Sequence, residues 1–272
     1  LLAGRNINFN ANVNTGNGNL TAIAGATGFD SQHRDAGDST ITLASGVTLN
    51  AGTGTISLVA NNVGNSLGKF VNNAGATPFT AAQTFIYLPS FNTTGNNGVT
   101  HATLGGLTVN GKRYGTTYDA TKNAPICSFD GCVVPTSGVN LFYAARPTLT
   151  VTPKSGQTAV YGDTFTLDTT RTLSGFVDGD TENTAGITGT AAFTVSGDLP
   201  ANGLRNAGQY DVAYQNGLAS SLGYQIEDAK TQTNELTITP RALTVTTNNF
   251  LGNATDTLTV TSSEGLVQGQ EF

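Results

Sequence analysis

Val13-Asn14-Thr15-Gly16-Asn17-Gly18-Asn19-Leu20 returns 36 residues later as Leu49-Asn50-Ala51-Gly52-Thr53-Gly54-Thr55-Ile56. The match runs on through Thr21-Ala22-Ile23-Ala24 against Ser57-Leu58-Val59-Ala60, so the apolar positions recur together with both glycines. A repeat at a fixed period of this length marks stacked units, each burying its apolar face on the next. Around the two copies, Ile7 and Phe9, Ile41 and Leu43, Val47 and Leu49, and Ile56 and Leu58 stand two apart, the spacing of strands with one buried face. Glycine, asparagine and threonine align with themselves easily, but the matched apolar spacing is harder to obtain by composition alone. We therefore expect residues 1–60 to form a coil of parallel strands, with Leu20 stacked on Ile56. Thr27 to Asp38, polar and carrying both charge signs, is expected to be a loop pushed out from one rung.

The rest of the composition agrees with strands. The chain has 34 glycines among its 272 residues, only 11% charged residues, and no methionine or tryptophan. Threonine and valine suit a pleated surface, glycine and asparagine supply turns, and strong helix formers are scarce. The fold class expected is all-β. No stretch approaches eighteen consecutive apolar residues, so no membrane span is expected. Without a methionine, and with Leu1-Leu2-Ala3-Gly4 lacking a basic leader region, the chain reads as an excerpt of a longer protein. Residues 1–146 carry seven basic and five acidic side chains, and residues 147–272 five basic and thirteen acidic. Neither part has a basic cluster, which argues against a nucleic-acid partner.

After Arg146-Pro147 the texture changes. Thr148-Leu149-Thr150-Val151-Thr152-Pro153 has a counterpart in Glu235-Leu236-Thr237-Ile238-Thr239-Pro240. Ser174-Gly175-Phe176-Val177-Asp178-Gly179-Asp180 finds another in Glu264-Gly265-Leu266-Val267-Gln268-Gly269-Gln270, 90 residues on. Leu149-Thr150-Val151 against Leu243-Thr244-Val245 gives an offset of 94. These offsets divide the chain into 1–146, a coil with inserted loops and a C-terminal cap; 147–240, one module; and 241–272, the start of a second, incomplete module. Between 69 and 146 the rhythm is poorer. Leu104, Leu107 and Val109 look like one more rung, and Phe85-Ile86-Tyr87-Leu88 and Leu141-Phe142-Tyr143 are richer in aromatics. That region is expected to widen, decorate or close the coil.

On Asn6-Ile7-Asn8-Phe9, Ile41-Thr42-Leu43-Ala44-Ser45-Gly46 and Gly54-Thr55-Ile56-Ser57-Leu58, the first part resembles filamentous-haemagglutinin-like two-partner-secretion adhesins. The second part resembles the MBG or YDG modules that follow such helices. The matching residues there are Val160-Tyr161-Gly162-Asp163, Ser174 to Asp180, Asn206 to Tyr210, and Leu236 to Val245. The resemblance implies a right-handed parallel β-helix followed by small β-rich modules, β-sandwich or β-grasp-like. It also implies a secreted or bacterial cell-surface location and an outer-membrane transporter for the parent protein. The expected work is attachment without catalysis, to extracellular polysaccharide, a host surface or other copies of the chain, as in a biofilm matrix. A self-assembling filament subunit and a carbohydrate-active β-helix enzyme are the alternatives. The family's motifs are structural and bring no catalytic roles and no cofactor.

Candidate sites are few. Cys127 and Cys132 flank Ser128-Phe129-Asp130-Gly131, whose Asp-Gly turn suits a small disulfide loop; free thiols and a metal site are the alternatives, and a metal would need further ligands. His33 and His101 stand in polar, loop-like settings and read as surface residues rather than catalytic bases. Asp30, Asp35 and Asp38 sit with Arg34 in the inserted loop and read as solvated. Asp178, Asp180 and Glu182 are candidate calcium ligands on a tight turn, with a polar hairpin as the alternative. Tyr87, Phe91, Tyr114 and Tyr118 are candidates for stacking on sugars, and each also suits a buried core. Sequons at Asn19, Asn92 and Asn253 are expected by chance in so Asn- and Thr-rich a chain.

Overall fold

The computed structural model describes residues 1–26, 38–60, 68–92, 100–230, 233–247 and 260–264. Among them there is no helix. The protein is all-β, and most of its sheet pairing is parallel. By compactness it divides into two units: Leu1–Leu149 with Gly175–Gly189 and Leu218–Ile226, and Thr150–Ser174 with Thr190–Gly217 and Glu227–Phe272.

In unit 1 the chain makes the same three strands on each of its first three passes. The first pass gives β1 (Leu2–Ala3), β2 (Ile7–Phe9) and β3 (Val13–Asn14). The second gives β4 (Leu20–Ala24), β5 (Thr40–Leu43) and β6 (Leu49–Asn50). The third gives β7 (Thr55–Ala60), β8 (Lys69–Asn72) and β9 (Phe79–Thr80). The fourth starts with β10 (Gln83–Leu88) and β11 (Ala102–Thr103). Then follow β12 (Gly111–Tyr114), an antiparallel hairpin of β13 (Thr116–Asp119) and β14 (Ala124–Cys127), and β15 (Gly138–Tyr143). The three resulting sheets are ordered β1-β4-β7-β10-β15-β12, β11-β8-β5-β2 and β3-β6-β9, with parallel neighbours throughout.

The 36-residue repeat is the register of one strand pair in each of two of these sheets. Val13 pairs with Leu49, and Leu20 with Ile56. Both Leu20 and Ile56 are buried in one core with Ile41, Leu43, Leu58 and Ile86. Other registers differ because the connections differ in length: Leu2 pairs with Ile23, and Ile56 with Thr84. The proposed loop from Thr27 to Asp38 lies outside the described residues except for Asp38, which pairs with Lys69 at 2.5 Å. Asparagine side chains tie successive passes together. The N–H groups of Thr48, Thr53 and Thr55 donate to Oδ1 of Asn12 (2.9 Å), Asn17 (3.2 Å) and Asn19 (2.8 Å), each 36 residues earlier. Where backbones of successive passes approach closely only glycine fits: a Cβ on Gly54 would meet the Gly18 carbonyl oxygen at 2.6 Å.

The aromatic-rich segments turn out to be partners. β10 and β15 pair from Gln83↔Gly138 to Leu88↔Tyr143. Strand alternation sends Ile86 and Leu88 into the main core, while Phe85 and Tyr87 join Val59 and Phe142 in a second cluster. Tyr118 of β13 packs edge-on against Tyr87, with ring centroids 5.3 Å apart, so the hairpin covers that outer face. Of the expected extra rung, the strand is Ala102–Thr103, paired to Phe70 and Val71; Leu104, Leu107 and Val109 join the core without strand geometry. Cys127 and Cys132 are disulfide-bonded.

Unit 2 is built differently. In chain order the remaining strands are β16 (Thr148–Pro153), β17 (Gln157–Val160), β18 (Arg171–Ser174), β19 (Ile187–Val195) and β20 (Gly208–Tyr210). They continue with β21 (Val212–Ser220), β22 (Gln225–Asp228), β23 (Leu236–Thr239), β24 (Thr244–Thr247) and β25 (Val260–Glu264). Unit boundaries fall within β16, β19, β21 and β22. β16 pairs antiparallel to β18, while β23 is parallel to β17 and antiparallel to β20. Val212, Leu236 and Ile238 form a buried cluster in this unit, with Tyr161, Phe193 and Tyr210 against it. β24 pairs antiparallel with β25 in a separate two-stranded ribbon.

Candidate functional site

The Asp-Gly-Asp turn, read from sequence as a polar hairpin or a cation loop, is tied by side chains to several distant parts of unit 1. Asp178 and Gly179 both take positive φ (50° and 71°), and the Asp180 N–H closes the turn on the Val177 carbonyl at 2.9 Å. Aspartate and glycine are the residue types that tolerate this backbone. The turn directs Asp180 into a setting of donors drawn from distant parts of the chain. Lys112 Nζ of β12 lies 2.7 Å from Oδ1. The Tyr114 and Tyr224 hydroxyls donate to Oδ2 at 2.9 and 2.8 Å. The Asp180 side chain is only 4% exposed and that of Lys112 19%, so each is the other's main charge compensation.

Asp178 belongs to an exposed part of the turn, yet its carboxyl receives the Tyr143 hydroxyl and the Asn92 N–H. Desolvation raises its pKa, opposed by Lys112 and the Tyr143 hydrogen bond. The tyrosines form a packed aromatic group: Tyr114 and Tyr143 stack at 5.5 Å, Tyr224 meets Tyr114 edge-on at 5.0 Å, and Lys112 lies 5.6 Å from the Tyr114 centroid. Burial, then neighbouring groups, raises the pKa of Tyr114; burial followed by Asp178 does the same for Tyr143. Their hydroxyls therefore stay protonated donors at neutral pH.

Beside this group opens a cavity of about 640 Å³. Leu104, Val109, Leu141 and Leu222 contribute apolar lining; Lys112, Arg113, Asp178 and Asp180 contribute charge, with Asn92, Asn110 and Thr184 adding neutral polar groups. Such a volume lies within the range of about 300–1,000 Å³ usual for ligand pockets.

The other sequence candidates fall elsewhere. Glu182 is exposed, and among the described residues no group of three His, Cys, Asp or Glu side chains is placed to hold a metal ion. Asp180 has its oxygens engaged by Lys112 and two tyrosines instead of being left open to a cation. Tyr87 and Tyr114 are fully buried and offer no ring face to a sugar; Phe91 and Tyr118 are half-buried against other aromatics. His101 is not a surface residue: it is 4% exposed, with Nδ1 2.8 Å from the Gly68 carbonyl oxygen. His33, Asp30 and Asp35 lie outside the described residues, as does Asn253. The sequon side chains of Asn19 and Asn92 accept backbone N–H groups, Asn19 from Thr55 and Asn92 from His101 and Ala102. Sequence reading missed Lys112, Tyr143 and Tyr224, which share no local spacing with Asp180.

Comparison with protein-family models, curated proteins and solved structures yields no match for this chain.

Proposed function

We propose that this chain is a non-catalytic segment of a secreted bacterial surface or biofilm-matrix adhesin. In this reading the parallel stack of unit 1 is a right-handed parallel β-helix of the filamentous-haemagglutinin type, and 147–240 and 241–272 are MBG-like modules that extend or space it. The observation that carries it is the addition of one strand to each of three parallel sheets on each of the first three passes, with the 36-residue repeat as the register of β3 on β6 and of β4 on β7. Parallel crossovers are right-handed in about 98% of cases, which favours that hand. A stack of this kind is stiff, because every rung pairs its backbone along its length with the next. The Cys127–Cys132 bond suits an oxidising compartment outside the cytosol. Asn19, Asn72, Asn92 and His101 are engaged in holding backbone, which fits a structural rod better than a reaction centre.

Display of residues 1–272 on a non-adherent bacterium, followed by measurement of attachment to polysaccharide-coated surfaces, host cells and like cells, tests the reading. Attachment above that of cells displaying an unrelated β protein is expected. Equal attachment on every surface overturns it, and concentration-dependent fibres of the isolated chain would turn the reading towards a filament subunit.

A further inference from the structure

The charged residues lining the 640 Å³ cavity are Lys112, Arg113, Asp178 and Asp180, but the Arg113 guanidinium is turned to the Val133 and Lys112 carbonyls, so one carboxyl is left over once Lys112 and Asp180 are paired. An anion would be repelled by that remaining carboxyl, Asp178, which already holds the Tyr143 hydroxyl and the Asn92 N–H. Here Lys112 and Asp180 already satisfy each other at 2.7 Å, and the remaining lining is divided between aliphatic and hydrogen-bonding groups. Leu104, Val109, Leu141 and Leu222 offer apolar surface, and Asn110 adds an amide, while the Thr184 hydroxyl is already engaged with Thr181. That division matches a molecule with apolar C–H faces and a circumference of hydroxyls that both donate and accept.

Two further observations point the same way. A buried ion pair is rarely retained for stability alone, since apolar residues of similar volume hold a core equally well. The carboxyls are also fixed before any ligand arrives, Asp180 by Tyr114, Tyr224 and Lys112 and Asp178 by Tyr143, so binding costs little side-chain ordering.

We propose that this cavity is a binding site for a neutral glycan, recognised through its hydroxyls by Asp178 and Asn110 and through its apolar face by Leu104, Val109 and Leu141. The site deepens the adhesin reading and rests on it for the ligand being extracellular.

The test uses the full 272-residue chain with maltotriose, cellotriose and mannotriose as neutral probes and trigalacturonate as the anionic comparator, read by saturation-transfer NMR and calorimetry. Saturable binding of at least one neutral trisaccharide is expected, with trigalacturonate weaker by about ten-fold or more because Asp178 and Asp180 face it. Val109→Phe fills the cavity and should weaken binding by about ten-fold or more through overlap with the ligand. Asp178→Asn keeps an acceptor for Tyr143 and tolerates the positive φ, so it folds even if Val109→Phe does not; a loss of about three- to ten-fold is expected for one weakened charged hydrogen bond. No binding of any neutral probe, preference for trigalacturonate, or binding unchanged in Asp178→Asn overturns the proposal. Attachment of the displayed chain, measured in parallel, separates the two readings. Attachment without sugar binding removes the cavity proposal and leaves the adhesin; sugar binding without attachment supports the cavity and removes the adhesin.

Discussion

The two units solve the problem of strand register in opposite ways. In unit 1 β7 repeats the pattern of β4 and β6 that of β3, Leu20, Ile56 and Thr84 occupy equivalent positions in neighbouring strands, and all pairing in the stack is parallel. In unit 2 no strand is a copy of its neighbour: Thr150 pairs antiparallel with Ser174, Gln157 parallel with Leu236, and Gly208 antiparallel with Ile238. Repetition makes register redundant, because the same apolar spacing is read at each interface; a mixed sheet depends on each pairing separately. Damage in unit 1 should therefore spread to the strands on either side, whereas damage in unit 2 should stay with the sheet that carries it.

The harshest test is a charge in each core. Ile56 is fully buried between Leu20 and Thr84, and Ile56→Asp places an unpaired carboxylate there, a loss expected to exceed about 4 kcal/mol. Hydrogen exchange should show protection lost across both Leu20–Ala24 and Gln83–Leu88. Val212→Asp, at a comparably buried position of unit 2, should deprotect Gly208–Tyr210 and Leu236–Thr239 and leave Leu20–Ala24 unchanged. Full protection of Leu20–Ala24 in Ile56→Asp would end the argument from redundancy.

Next in size is the Asp180 cluster, the part of unit 1 that does not repeat. Asp180→Ala leaves the Lys112 ammonium and two tyrosine hydroxyls without their acceptor, and by analogy with other broken buried pairs should cost about 3–5 kcal/mol in chemical denaturation. A loss below about 1 kcal/mol would show that water replaces the carboxylate and that the pair is effectively exposed. The tyrosines of this cluster, together with Tyr87 of the outer one, predict alkaline sensitivity. Tyr87, Tyr114, Tyr143 and Tyr224 all have pKa values raised above the ordinary 10, chiefly by burial. A raised pKa adds stability that is complete below the unfolded value and lost as pH climbs above it, so stability should fall from about pH 10 upward. In a spectrophotometric titration these four should ionise together with unfolding; ionisation of all eight tyrosines before any loss of structure would contradict it.

The Cys127–Cys132 bond closes a short loop beside the hairpin, with a sequence separation of 5. Loop-closure entropy for so few residues limits its stabilisation to about 2 kcal/mol. The double replacement Cys127→Ser with Cys132→Ser should therefore lower stability by no more than that and leave the exchange pattern of Leu20–Ala24 intact. A larger loss would mean that Tyr118, held near Tyr87 by the hairpin, needs the bond to cover the outer aromatic cluster.

What the sequence disclosed follows the same division. The repeat placed Leu20 on Ile56 and Val13 on Leu49 because copies of one pattern can be aligned without knowing the fold. It could not pair Phe85–Leu88 with Asn140–Tyr143, 55 residues on, because a hairpin and the disulfide loop interrupt the period. The Asp-Gly-Asp turn was legible as a tight turn, but not its partners: Lys112 lies 68 residues before Asp180 and Tyr224 lies 44 after it. Alternation also gave no warning that Tyr87 would be buried outside the main core, where its hydroxyl finds no hydrogen-bond partner among the described residues.

The smallest effect separates the units most finely, since it compares one asparagine hydrogen bond in each. Asn19 Oδ1 accepts the Thr55 N–H at 2.8 Å, spanning 36 residues and joining two passes of the chain. Asn202 Oδ1 accepts the Leu204 N–H at 3.0 Å within a turn of unit 2. Both bonds are solvent-exposed, so each alone is worth roughly 0.5–1.5 kcal/mol at most. The turn bond forms locally and is available in the unfolded chain as well, so Asn202→Ala should cost only a few tenths of that. Asn19→Ala instead removes a contact that exists only when β4 and β7 are in register, and should cost about 1 kcal/mol, with faster exchange at the Thr55 amide and at the ends of both strands. Equal losses for the two variants would mean that asparagine acts in the stack only as a turn residue. An Asn19→Asp replacement, which keeps the acceptor geometry, should recover most of the Asn19→Ala loss if the bond between passes is what matters.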